Sequence, residues 1–182
     1  MTDKVARVAI LGGESTGKST LAAALAERYR TIWVPEYLRE FVETQQRTPL
    51  SHEQFGIAST QVEHERALLP QASRFLFCDT TPRMTAMYSL HYFGAIDAGL
   101  DALMRSHAYD FTIVTAPTNP WSGDGLMRDG DEVRQAVHKL VVEHLQSAGI
   151  PYLLVDGDVA QRVQQTVDYL LAAGIDDRPL LK

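Results

Sequence analysis

The octapeptide Gly12-Gly13-Glu14-Ser15-Thr16-Gly17-Lys18-Ser19 constrains this chain more than any other stretch, because it matches G-x-x-x-x-G-K-[ST] in full. Glycines let successive backbone N–H groups turn toward phosphate oxygens with no Cβ in the way. A helix starting near Lys18 adds its positive dipole end. Lys18 brings a mobile cation to the β- and γ-phosphates, and Ser19 brings a hydroxyl to Mg²⁺. Thr20 closes the run. The flanks agree with this reading: residues 5–11 are a short apolar strand, and residues 18–29 have helical spacing at Leu21, Leu25 and Arg28. ATP and Mg²⁺ are the ligands this loop predicts.

A P-loop after the first strand demands further strands beside it, and the pattern supplies them. Short apolar runs at Thr31–Val34, Arg74–Cys78, Phe111–Thr115 and Tyr152–Val155 predict four more. Helices are predicted over 36–46, 52–69, Pro82–Phe93, Glu132–Ala148 and Ala160–Ala173. Ser51 suits the N-cap of the second of these, with Gln54 completing a capping box. Alternating strands and helices predict an α/β three-layer sandwich around a central five-stranded parallel sheet. With no repeat or linker-like break, residues 1–182 read as a single domain. The stretch Pro117–Gly130, rich in glycine, proline and aspartate, reads as a loop, and a lid segment is expected at about 117–134.

Composition narrows the partners. The formal net charge of −6 argues mildly against nucleic acid as the main partner. The single cysteine, Cys78, excludes an intramolecular disulfide and a cysteine-rich metal site. No apolar run reaches the length of a membrane span or a signal peptide, so a cytoplasmic location is expected. The six histidines show no metal-ligand spacing.

Asp79 ends the third strand, where P-loop proteins hold Mg²⁺ through an acid; the alternative is a strand-terminal cap. Three features favour a small-molecule kinase over a GTPase or motor. The chain is short, Asn119-Pro120 is not a guanine-reading N-K-x-D sequence, and the lid segment lies between the fourth and fifth strands. A lid excludes water so that the acceptor hydroxyl attacks instead. Arg128 and Arg134 flank it, suited to the charge of a transferring phosphoryl group or to an ordinary solvated surface. Glu36, at the end of the second strand, can orient or deprotonate an attacking hydroxyl. Glu36 and Arg39 share a helix face and fit either a ribose diol or a surface ion pair.

Taken together, G-G-E-S-T-G-K-S-T, P-E-Y-L-R-E-F-V, F-x-D-T-T and D-G-L-x-R-x-G resemble the ribosylnicotinamide kinase domain of the NadR family of bacterial NAD-salvage proteins. The likeness runs from about Val5 to Val167. It implies ATP-dependent phosphorylation of nicotinamide riboside to the mononucleotide. It implies a riboside pocket at Glu36, Tyr37 and Arg39, a metal acid at Asp79, and lid residues Asp124, Gly125 and Arg128. Gln61 stands where related nucleoside kinases contact the base. Two departures matter. Asp79-Thr80-Thr81 stands where Asp-Thr-Asp is expected in many relatives, which leaves room for another nucleoside or a small alcohol as acceptor. The chain also opens straight into the kinase strand, so adenylyl transfer and repressor functions are expected to be absent. A regulatory ATP-binding switch acting through a protein partner is the alternative from another class.

Aromatic residues at helical or strand spacing are mostly core. Trp33, Tyr88 and Phe55 are therefore expected inside. Tyr92 suits the core or the substrate ring equally and is carried as a substrate residue, while Trp121 is expected to anchor lid closure.

Overall fold

The protein was analysed as a computed structural model that describes residues 4–122 and 130–174. Five strands, β1 (Ala6–Leu11), β2 (Ile32–Val34), β3 (Phe75–Asp79), β4 (Phe111–Thr115) and β5 (Leu153–Val155), form one parallel sheet in the order β2-β3-β1-β4-β5. Among the described residues seven α-helices accompany them: α1 (Lys18–Tyr29), α2 (Tyr37–Gln45), α3 (Gln54–Leu68), α4 (Pro82–Phe93), α5 (Ala98–Ser106), α6 (Asp131–Ser147) and α7 (Val159–Ala172). The expected α/β three-layer sandwich is the observed one.

The layers follow from the period-two alternation of strand side chains. On β1, Val8 and Ile10 face a core with Leu21, Leu25 and Tyr29 of α1 and Val167 and Leu170 of α7. Ala9 and Leu11 face the opposite core, with Met84 and Met87 of α4, Leu100 and Met104 of α5, and Val137, Val141 and Leu145 of α6. Because β1 and β3 are covered on both faces, Val8–Leu11 and Phe75–Cys78 are continuously apolar rather than alternating. Tyr29 meets Phe75 edge-on at 4.7 Å.

Two local expectations are corrected. The segment before α3 is not capped by Ser51: a 3₁₀ turn spans Ser51–Glu53, and the Glu53 carboxylate accepts the Leu50 N–H at 2.7 Å while gripped by Arg47. Helix α5 was not anticipated, although its signals are present. Asp97 caps it by accepting from Gly99 and Leu100 N–H, and Leu100, Leu103 and Met104 recur at helical spacing. Among the described residues no helix is long and apolar enough to cross a membrane.

Since every strand is parallel, all their C-terminal ends lie along one edge. Leu11, Val34, Asp79, Thr115 and Val155 end there. From β1 the chain runs to β2 on one side, and from β3 it later crosses β1 to reach β4 on the other, so the crevice at the end of β1 is where ligands gather in sheets of this kind.

Candidate active site

The loop between β1 and α1 is shaped by backbone angles few residues accept. Gly12 has φ 152° and Gly17 φ 83°, with Ser15 at φ 55°. A Cβ at Gly12 would stand 2.1 Å from Thr115 Oγ1, so only glycine passes there. Thr16 Oγ1 donates to Gly13 O at 2.8 Å and lies 2.7 Å from Thr115 Oγ1, tying the loop to the end of β4. Lys18 Nζ donates to Gly13 O at 3.0 Å, which holds the ammonium over the loop. Together these features make an anion cradle at the start of α1.

Ser19 and Asp79 meet as the phosphate-loop reading requires. Ser19 Oγ donates to Asp79 Oδ2 at 2.5 Å. Asp79 is fully buried, and its Oδ1 has no hydrogen-bond partner among the described residues. Burial pushes its carboxyl up to about 6; Lys18 opposes that rise, and Glu36 adds to it. An unpaired buried carboxylate oxygen beside a serine hydroxyl is an oxygen donor set that fits a hard divalent cation.

The acceptor side is assembled from β2, α2, α3 and α4. A cavity of about 790 Å³ is lined by the phosphate loop on one side and by Glu36, Leu38, Arg39 and Gln54 on the other. Tyr88 and Tyr92, one helical turn apart on α4, also line it, with parallel rings 6.1 Å between centroids. Glu36 is the N-cap position of α2, yet its side chain does not cap the helix; it accepts from Thr80 Oγ1 at 2.9 Å.

The other expected residues have different surroundings. Gln61 is buried and lies behind the cavity: its amide accepts from Tyr37 N–H at 2.7 Å and donates to Pro35 O at 3.1 Å. It fixes the start of α2 rather than lining the large cavity. The Tyr37 ring meets His64 edge-on at 5.4 Å and does not line the cavity either. Arg134 is 4% exposed, with its guanidinium spent on Asp131 and on the carbonyls of Ser15 and Asn119. That makes it a clamp on the outside of the loop. Phe55 is exposed rather than core, and Tyr88, expected inside, also faces the cavity. Thr81, which stands where Asp-Thr-Asp would have its second acid, is wholly buried at the N-cap of α4 and is not among the residues lining the cavity. Asp124, Gly125 and Arg128 lie outside the described residues.

Arg162 on α7 was missed by sequence reasoning. It is 2% exposed and donates to Thr16 O at 2.5 Å, to Gly157 O at 2.9 Å and to Asn119 Oδ1 at 3.1 Å. Its one sequence signal was an arginine on a helix otherwise packed on the core, which is uninformative without the acceptors.

Comparison with known proteins agrees with this geometry. The AAA domain family profile matches residues 7–162. The trifunctional NAD biosynthesis/regulator protein NadR of Salmonella typhimurium is 32% identical over 156 residues, covering 83% of this chain. The chain spans only 38% of that protein's length. Among solved structures, a NadR protein in complex with NR superimposes with a TM-score of 0.81 at 19% identity, over 98% of this chain and 52% of that one. Thymidylate kinase from Candida albicans superimposes with a TM-score of 0.71 at 15% identity, over 94% of this chain and 93% of that one.

Proposed function

This chain belongs to the AAA domain family, and from that membership and the site's geometry we propose that it is an ATP-dependent kinase of nicotinamide riboside. The product of this reaction is the mononucleotide, which places the enzyme in NAD salvage, and the setting we propose for it is the cytoplasm. One observation carries the reading: a single cavity joins the phosphate loop, through Lys18 and Ser19, to a carboxylate, Glu36, and a parallel tyrosine pair. The similarity to NadR over most of the chain supports the riboside as acceptor.

The residues divide the work. Lys18 and the loop N–H groups hold the β- and γ-phosphates. Ser19 and Asp79 would hold Mg²⁺, which when bound offsets the charge of the transferring group. Glu36 orients the acceptor hydroxyl and takes its proton as the new O–P bond forms and the bond from the γ-phosphorus to the bridging oxygen of ADP breaks. Arg39, Tyr88 and Tyr92 line the cavity, the guanidinium suited to the ribose hydroxyls and the tyrosines to the planar, cationic pyridinium. To Arg128 we assign the neutralising of charge that develops on the phosphoryl oxygens.

A panel of nucleosides incubated with ATP and read by product mass tests the proposal. Riboside-dependent ADP release with the mononucleotide as product is the expected result. Another phosphorylated nucleoside in its place would reassign the acceptor. Hydrolysis only in the presence of a protein partner would replace the kinase with a switch. Glu36→Gln keeps the side chain's size and should cut kcat by roughly 10²–10⁴ with ATP binding unchanged.

A further inference from the structure

Thr80 has φ 72°, in the left-handed region. A β-branched residue there is an outlier, since its Cβ crowds the following carbonyl. The conformation is pinned from both sides. Thr80 N–H donates to Ile10 O at 3.2 Å, extending the contact of β3 with β1 one residue beyond Asp79. Two residues later Pro82 opens α4. The chain must therefore turn within Thr80 and Thr81, a place suited to glycine or asparagine.

What a threonine adds is its hydroxyl on a side chain stiff at χ1. Thr80 is 5% exposed, and Oγ1 donates to Glu36 Oε1 at 2.9 Å across 44 residues of chain. Both residues line a small pocket, about 20 Å³, that lies beside the large cavity. Strain of this kind persists where the surroundings over-determine it, and it clusters at functional sites.

We propose that Thr80 is a positioning residue whose strained backbone is retained because its hydroxyl fixes the rotamer of Glu36, engaging one carboxylate oxygen and leaving the other for the acceptor hydroxyl. This rests on the reading of Glu36 as the acceptor-side carboxylate. A carboxylate held by a fixed donor meets the acceptor already oriented, which acts on the chemical step rather than on ATP binding.

The test compares Thr80→Val, Thr80→Ser and Thr80→Gly with the parent and with Glu36→Gln, using ATP and nicotinamide riboside, with thermal melting of each protein. Thr80→Val keeps the shape and the strain but loses the donor; kcat should fall roughly 10–100-fold, with the KM for ATP within about twofold. Thr80→Ser keeps the donor and should retain kcat within about threefold. Thr80→Gly loses the donor and releases the strain, so its kcat should fall as for valine while it melts roughly 2–4 °C above Thr80→Val. Parental kcat in Thr80→Val, beside an impaired Glu36→Gln, overturns the proposal alone. Parental activity in Glu36→Gln overturns the reading of Glu36 and this proposal with it. A Thr80→Gly protein that melts below Thr80→Val shows that no strain is stored there and also overturns it. Should the valine variant fail to fold, the serine and glycine pair decides: equal kcat in the two excludes the hydroxyl from positioning.

Discussion

Arg162 Nη1 donates to the carbonyl of Thr16, so the last helix of the described chain holds the first loop across 146 residues of sequence. The same guanidinium reaches Gly157 O and the side chain of Asn119, which lines the cavity beside the phosphate loop. Burial pushes its pKa down, yet arginine starts so high that it stays charged. A buried cation directly against an anion cradle favours phosphate twice, by position and by charge.

Arg162→Met should therefore weaken nucleotide binding by at least about tenfold and destabilise the fold by roughly 1–3 kcal/mol, because carbonyl acceptors lose their donor. Arg162→Lys keeps the charge without the planar fork and should recover part of the affinity and little of the stability. Titration with ADP and thermal melting check both. Unchanged nucleotide affinity in the methionine variant would reduce Arg162 to a packing role.

Lys18→Ala should lower kcat by roughly 10²–10³ or more and leave the fold intact. Lys18 is buried against the loop, but the bond it makes is one donation to Gly13 O, whose loss costs about 1 kcal/mol. Steady-state kinetics with far-UV circular dichroism separates the two effects. Near-parental turnover would remove the phosphate-loop assignment.

Asp79→Asn should raise the melting temperature of the nucleotide-free protein at pH 7.5 while abolishing phosphoryl transfer. Burial lifts the Asp79 carboxyl to about 6, above the 3.8 it has when free. The folded state thus binds a proton more tightly than the unfolded one, and this group's ionisation costs stability as pH rises from about 4 through 6. The cost is fully present above 6 and absent below about 4, so the advantage of asparagine should vanish in melts run near pH 4. A variant that melts lower than the parent at pH 7.5 would show that Asp79 is paired in the folded apo protein.

Arg128→Ala should lower kcat far more than it weakens ATP binding, because a lid arginine acts when charge develops on the phosphoryl oxygens. Single-turnover rates and equilibrium binding of a non-hydrolysable ATP analogue distinguish this from a ground-state contact.

How much of this was legible in sequence depends on whether a feature is local. The phosphate loop is eight consecutive residues whose backbone angles select their own side chains, so Gly12, Gly17, Lys18 and Ser19 could be assigned before any fold was known. The strands were legible for the same reason: runs such as Phe75-Leu76-Phe77-Cys78 are apolar on both faces because helices cover both. Helix α5 was local too, and its Asp97 cap and Leu100–Met104 spacing went unread. The partnerships were not local. Arg134 suited a transferring phosphoryl group or a solvated surface, and Arg162 carried no reading at all, whereas the fold surrounds both with carbonyl acceptors; Gln61, expected near the base, bridges Tyr37 and Pro35. Thr80 carried no signal at all, since neither its backbone strain nor its bond to Glu36 is written in the residues beside it. The sheet order β2-β3-β1-β4-β5 decides these meetings, because it sets the end of β3 between the ends of β2 and β1 and so gathers Lys18, Glu36 and Asp79 at one edge. Hydrogen bonds act only over about 3 Å, so residues tens of positions apart acquire roles only when packing has closed that distance.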